Sequence, residues 1–480
     1  MTNLKQKTLN GLLWSSIERF SIQGIQFVLG ITIARFLLPS DYGLIGMIAI
    51  FMSISQALID SGFSQALIQK KEVTEKDYST IFYFNIITAI GIYAILYSLA
   101  QPIAIYYNEP TLLKLIRVIG LSIIFNSFSI VQLAKLSKNI DFKTQSKASL
   151  SAVIFSGSIA LYLASNGFGV WALAIQQILR SSTNTILLFI FTKWKPQLIF
   201  SKKSFNSLFP FGSKLLLSGL LNAVFNNLYL IVIGKVYNKD LLGLYTRANQ
   251  FQLLPSETIT IVLQRVTFPI LSSIQDEQEK LTRLYKKFIC FAGFIIFPIM
   301  IGIAVIAKPL IIILLKTKWI GVVEYLQLIV FVGVLYPIHA INLNILKVKG
   351  RSDLFLRLEI IKKALILLTL LITYSYGIKI MIIGQIITSI IALYINTHYS
   401  KKMIDYGFIN QIKDLFPFFI TAVIMGIIIH FSIKFIDYNI LKLITASIIG
   451  PISYYSLSKL LKFEEIIEIN NLFNRIKSKF

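Results

Sequence analysis

Charge is scarce in this chain. Only 14% of its 480 residues are Asp, Glu, Lys or Arg, where a soluble domain carries about 25%. So little polar surface cannot cover a water-facing globule, which excludes a soluble enzyme and a disordered regulator. Cysteine is nearly absent. Cys290 stands alone, so no internal disulfide forms and a secreted disulfide scaffold is excluded. The three histidines, His339, His398 and His430, are far apart and show no metal-ligand spacing. There is no G-x-x-x-x-G-K-[ST] phosphate loop and no H-E-x-x-H, and spacing argues for no Ser/His/Asp set. Any transport must therefore be driven by an ion gradient, of sodium or protons, or by consumption of the product. Acidic residues number 22 against 47 basic ones, for a net charge of +25.

What the chain has in quantity is apolar residues: 55% belong to AVILMFWYC, and the mean hydropathy is +0.72. The cations punctuate long apolar runs instead of gathering in a patch or stripe, which argues against a nucleic-acid partner. The composition is that of an all-α polytopic membrane protein. A crossing helix needs about 20 mostly apolar residues, and fourteen segments qualify: 10–37, 42–69, 78–106, 111–134, 148–165, 169–192, 205–235, 242–272, 284–306, 321–346, 353–375, 378–400, 414–435 and 440–461. The second and eighth carry the most polar residues. The first is too long for a signal peptide and lacks a small-residue cleavage site. The stretch Pro309–Leu315 is too short to cross and reads as an interfacial piece.

Fourteen crossings place both termini on one side. Loops on that side hold 27 Lys and Arg, and the opposite loops hold 5. The positive-inside rule then puts both termini in the cytoplasm. The tail 462–480 spaces Ile469, Phe473, Ile476 and Phe480 helically among charges, the pattern of an interfacial amphipathic helix or of a frayed basic tail.

The sequence also repeats itself. Residues 31–44, ITIARFLLPSDYGL, align with 231–244, IVIGKVYNKDLLGL, matching Arg35 to Lys235 and Gly43-Leu44 to Gly243-Leu244. In the next segment Gln56, Asp60 and Ser64 fall on Ser256, Thr260 and Gln264, and Gly169 to Gln177 later matches Gly377 to Gln385. The offset spans an even number of segments, so the copies are parallel repeats about an axis along the membrane normal. The expected domains are an N-lobe (1–200, six helices), a C-lobe (201–402, six helices), two added helices (403–461) and the tail (462–480). Two lobes facing one another make the cavity of an alternating-access transporter.

Polar residues inside hydrocarbon face a cavity or each other. Ser15, Arg19, Gln23, Gln26 and Gly30 share one face of the first segment, and Ser53, Gln56, Asp60 and Ser64 one stripe of the second. Ser218, Asn222, Asn226 and Tyr229 mark the seventh; Arg247, Gln250, Glu257 and Gln264 mark the eighth. Any single Ser, Asn or Gln is more simply interhelical glue. Whole stripes in repeat-related segments favour a cavity. Arg19 sits about nine residues into its segment, roughly 14 Å deep, and Arg180 lies midway along the sixth, on a face with Gln177 and Asn184. These are the leading candidates for holding an anionic substrate. Arg247 is nearer a helix end, where snorkelling competes with a cavity role. Asp60 and Glu257 are the candidates for ion coupling, and for Asp60 pairing with a cavity arginine stands equally open. Lys362 and Lys363 lie one turn from Glu359, as a structural ion pair would. His339, beside Pro337, reads as a kink-associated polar contact, while Pro255, Pro298 and Pro337 interrupt helices.

These residues also resemble a family. The run GLLWSSIERFSIQGIQFVLGITIARFLLPSDYGLIGM, with DSGFSQALIQK at 60–70, IGKVYNKDLLGLYTRANQ at 233–250 and FPILSSIQD at 268–276, is similar to the polysaccharide flippases of the multidrug/oligosaccharidyl-lipid/polysaccharide exporter superfamily. The resemblance covers almost the whole chain. It implies a flippase that moves a polyprenyl-pyrophosphate-linked oligosaccharide across a bacterial plasma membrane, for O-antigen, capsule or exopolysaccharide assembly. It also implies membrane lipids and other polysaccharide-assembly membrane proteins as neighbours. On that reading Arg19 and Arg180 hold the pyrophosphate bidentately, and Gln23, Gln26, Gln56, Asn222, Asn226 and Arg247 line the substrate cavity. The competing readings are a drug antiporter of the same superfamily, a membrane enzyme of polysaccharide polymerisation, and a scaffold. A cationic cavity disfavours the first. The 307–320 loop, without a carboxylate, disfavours the second, and a scaffold leaves the polar stripes unexplained.

Overall fold

The computed structural model describes residues 21–60 and 62–468. The first helix segment, with Arg19, and the amphipathic pattern of the tail lie partly or wholly outside them. Among the described residues the chain is helical throughout, with no strand. It divides into two compact units, one ending at Gly243 and one beginning at Leu244.

The first unit holds α1 (Ser21–Ala34), α2 (Pro39–Asp60), α3 (Phe63–Gln69), α4 (Glu75–Tyr107), α5 (Thr111–Lys138), α6 (Phe142–Ser165), α7 (Val170–Thr192), α8 (Lys202–Val236) and the first turn of α9 (Lys239–Ser273). The second unit holds the rest of α9, then α10 (Gln278–Val305), α11 (Ala307–Leu315), α12 (Val322–Gly333), α13 (Tyr336–Val348), α14 (Ser352–Thr373), α15 (Ile378–Ile404), α16 (Phe408–Lys434) and α17 (Asn439–Leu460). A single 3-10 turn, Thr317–Trp319, joins α11 to α12.

Helices occupy all fourteen expected segments, the first over its described part. Ten of them, among the described residues, are long and apolar enough to cross a membrane. The others are α1, of which only part is described, and α7, α9 and α14. Those three carry Arg180, Arg247 with Glu257, and Glu359 with Lys362, which lowers their apolarity. Two expected segments are broken. The segment 42–69 is α2 plus α3, because Gly62 turns left-handed (φ 67°) between them. The segment 321–346 is α12 plus α13, and Pro337 lies in the first turn of α13. It therefore starts a helix instead of kinking one, unlike Pro255 and Pro298, which are interior. Pro309–Leu315 falls within the short helix α11.

Local chemistry sets the helix ends. Thr74 caps α4 in a reciprocal capping box with Asp77, whose Oδ2 also accepts from Lys70 Nζ at 2.8 Å. Asp141 and Ser201 cap α6 and α8 through side-chain oxygens. These caps satisfy amides that a helix start leaves without partners. The connection from α7 to α8 is strapped to the start of α4. Trp194 Nε1 donates to Glu75 Oε2 at 2.7 Å, Gln197 N donates to Ser79 Oγ at 2.9 Å, and Ser201 N donates to Thr80 Oγ1 at 3.0 Å. Around this strap lies an aromatic core of Phe63, Tyr78, Phe82 and Trp194, with Phe82 and Trp194 centroids 5.5 Å apart, edge to face.

Small residues bring helices close, as in other membrane bundles. Ala160, Ala164 and Ala172 pack α6 on α7. At the start of α2 the approach is backbone to backbone: a Cβ at Gly43 would collide with the Lys239 carbonyl, and one at Gly243 with the Pro39 carbonyl. In the second unit α10 packs on α16, where Gly293 admits Leu415 and Gly426 admits Ile301.

Candidate functional site

Within the first unit α2 and α8 lie side by side. The stripe Ser53, Gln56 and Asp60 of α2, spaced by three and four, faces the stripe Ser218, Asn222 and Asn226 of α8, spaced by four. Between them is a cavity of about 740 Å³. Asn126 of α5 and Gln177 of α7 close its sides, and Gln65 of α3 lies beyond the bend at Gly62. The bend is a packing requirement: a Cβ at Gly62 would stand 2.6 Å from the Gly212 carbonyl oxygen of α8.

Amides supply most of the polar lining, and one pair of them is hydrogen-bonded. Asn126 Nδ2 donates to Gln56 Oε1 at 3.2 Å. Asn227 Nδ2 donates to Ser53 Oγ at 3.3 Å and to the Ala223 carbonyl at 2.7 Å. Each amide both donates and accepts, so a wall of them suits hydroxyl-rich ligands. Asp60 is the one carboxylate of the lining. Its Oδ1 is buried without a hydrogen-bond partner among the described residues.

One turn past Gln177 on α7 is Arg180. Its Nη1 and Nη2 lie 2.8 and 2.7 Å from one terminal atom of the Gln26 amide on α1. A guanidinium only donates, so that atom is the amide oxygen. Gln26 thus holds the planar guanidinium by two of its donors, and among the described residues no carboxylate pairs with it. Gln23, one turn earlier on α1, is engaged by other groups.

A model of the polysaccharide biosynthesis protein family matches residues 32–324. The chain belongs to this family. The matched span includes every residue of the amide-lined cavity. Among curated relatives, the teichuronic acid biosynthesis protein TuaB of Bacillus subtilis (strain 168) is 27% identical over 359 residues, 74% of each chain. The lipopolysaccharide biosynthesis protein WzxC of Escherichia coli (strain K12) is 25% identical over 431 residues, 87% of this chain and 86% of its own. Among solved structures, the lipid II flippase MurJ in an inward closed conformation superposes with a TM-score of 0.76 at 18% identity. The match covers 95% of this chain and all of that one. As a member of this family, with ten described helices long and apolar enough to cross a membrane, the protein is a multi-pass membrane protein of polysaccharide biosynthesis.

For this family member, the sequence candidates sort by unit. Gln56, Asp60, Asn222 and Asn226 meet at the cavity, and Gln26 meets Arg180. Arg247 and Glu257 belong to the second unit. Arg247 is buried, donates to Gln250 Oε1, and stacks 5.7 Å from the Trp319 ring centroid. Glu257 is exposed. Asn126, Asn227 and Gln65 escaped the sequence reading. Asn126 left a signal, as a lone amide in the apolar run IIFNSFS, but one amide reads as glue until the fold sets it opposite Gln56.

Proposed function

We propose that this membrane protein flips a polyprenyl-pyrophosphate-linked oligosaccharide from the cytoplasmic to the outer leaflet, by alternating access. One observation carries the reading: the first unit holds both an amide-lined cavity and, one turn along α7 from its lining residue Gln177, a guanidinium whose only described partner is a neutral amide. The two halves of such a lipid ask for these two chemistries. The sugar hydroxyls need paired donors and acceptors, which Gln56, Asn126, Asn222 and Asn226 supply. The pyrophosphate needs a planar cation, which Arg180 supplies as a two-donor fork, with Arg19 as its proposed companion. The relatives' roles in teichuronic acid and lipopolysaccharide biosynthesis and the likeness to the lipid II flippase fold support the same substrate class.

The charge bias of the loops supports fourteen crossings with both termini cytoplasmic, and the internal repeat supports two six-helix lobes. The test is transbilayer movement of a polyprenyl-pyrophosphate oligosaccharide in proteoliposomes, for the protein and the Arg19→Ala, Arg180→Ala double variant. Movement that the variant lacks supports the flippase with a cationic head-group site. Movement in both discards that site, and movement in neither discards the substrate.

A further inference from the structure

We propose that the connection between α7 and α8 is a membrane anchor, which inserts Leu198, Ile199 and Phe200 into an anionic lipid leaflet. The anchor is separate from the transport reading and does not depend on it. Residues 193–203 read KWKPQLIFSKK. A connection that met only water would be polar, and a run of exposed apolar residues in one needs a function. Here Leu198, Ile199 and Phe200 stand 93%, 39% and 54% exposed. Among the described residues no large apolar side chain is more exposed than Leu198.

The exposure is built into the strap. Gln197 N and Ser201 N, on either side of the triplet, are the amides tied to Ser79 and Thr80 of α4. Between them Ile199 N donates to the Gln197 carbonyl at 2.7 Å. The ends of the triplet are thus fixed on α4 while its side chains are held outward.

The triplet also continues a lipid-facing surface. The Phe200 ring centroid is 6.2 Å from that of Phe205, which is 5.4 Å from that of Phe209, one turn further along α8. Phe209 is exposed, on a helix long and apolar enough to cross a membrane. This aromatic file puts the tip of the connection at the plane where α8 enters the bilayer. A soluble partner or a second copy that covered the triplet would have to follow the file into hydrocarbon.

Charge names the lipid. Lys193, Lys195, Lys202 and Lys203 flank the triplet, and all four are exposed. No described group pairs with any of them. The carboxylates of the strap are engaged elsewhere, Glu75 by Lys135 and Trp194 and Asp77 by Lys70. Apolar side chains between basic clusters enter the boundary of headgroups and acyl chains while the ammonium groups meet anionic headgroups. These lysines belong to the loops that the charge bias places in the cytoplasm, so the leaflet is the inner one. Through the strap, the anchor fixes the depth of the start of α4.

The test uses the full-length protein in vesicles. Cys290 is buried, so a nitroxide attached through Leu198→Cys reports the connection, and unmodified protein carried through the same labelling supplies the background. In phosphatidylcholine with phosphatidylglycerol, the label collides more often with oxygen than with a water-soluble nickel chelate, at a depth of roughly 5–10 Å. It moves toward water in phosphatidylcholine alone, and also in the variant Lys193→Gln, Lys195→Gln, Lys202→Gln, Lys203→Gln. All the altered side chains are exposed, and an unchanged melting temperature checks that the fold is kept. A label governed by the nickel chelate in both lipids overturns the proposal. So does a label shielded from both reagents, which puts a protein surface on the triplet. Insertion indifferent to phosphatidylglycerol and to the four substitutions overturns the anionic leaflet.

Discussion

Replacing Gln26 by glutamate is the sharpest probe of the head-group site, because it keeps the shape of the contact and changes one charge. In the protein the amide oxygen sits 2.7–2.8 Å from both terminal nitrogens of Arg180 and leaves the guanidinium's charge for a ligand. A carboxylate at that place forms a two-point ion pair. Opposite unit charges about 4 Å apart gain roughly 4 kcal/mol at an effective dielectric of 20. A hydrogen bond from a charged group to its ligand contributes about 1.5–3 kcal/mol. The new internal partner therefore outcompetes the substrate's phosphate. At about 1.4 kcal/mol per tenfold, Gln26→Glu should slow translocation at subsaturating lipid by about ten- to a hundredfold. Gln26→Leu only loosens Arg180 and should cost less. The assay is the initial rate of flipping against lipid concentration, at matched abundance in the membrane. Wild-type rates in Gln26→Glu would refute the role of Arg180 and leave its pairing with Gln26 structural.

Gln56→Leu with Asn126→Leu removes both partners of one hydrogen bond, so thermal stability in detergent should change little while flipping falls by at least tenfold; unchanged flipping would take the sugar out of this cavity. Gly62→Ala forces a side chain into a left-handed turn 2.6 Å from the Gly212 carbonyl. It should destabilise by about 1–3 kcal/mol, read as lower abundance and a lower melting temperature. Asp77→Ala removes the capping box and the partner of Lys70 and should cost about 2–3 kcal/mol, with Asp77→Asn losing less; equal losses would assign the effect to the charge and not to the shape or the capping oxygen.

The helices were legible because membrane helices announce themselves by apolar length, and every expected segment is helical over its described residues. Where a segment broke, the cause was a single residue whose effect is conditional. Gly62 bends the chain because α8 presses its backbone there, and no sequence pattern reveals that pressure. Candidate site residues were legible in proportion to their grouping. Gln56 and Asp60, or Asn222 and Asn226, stood out because a four-residue step repeats a face. Asn126 did not, because its partner Gln56 lies 70 residues away. His339 was visible beside Pro337, but its partners, Ser389 and Asn396, sit on α15. Arg247, open between a cavity role and snorkelling in the sequence, is buried beside Gln250 and Trp319, which only the fold delivers.

The glycine contact at the head of α2 has a consequence for how this sequence can drift. Gly43 is pressed by the backbone of Lys239, and Gly243 by that of Pro39, so two turns 200 residues apart each block the other's side chain. This is the reciprocity of a symmetric dimer at its axis, where residue i meets j and j meets i. Here both partners are encoded once each, in one chain. A homodimer that mutates such a glycine suffers the clash twice. This chain suffers it once, yet gains no freedom, because the surviving turn still holds its carbonyl where the new methyl must go. Each glycine is thus kept by the other turn's backbone, which no side-chain change can retract.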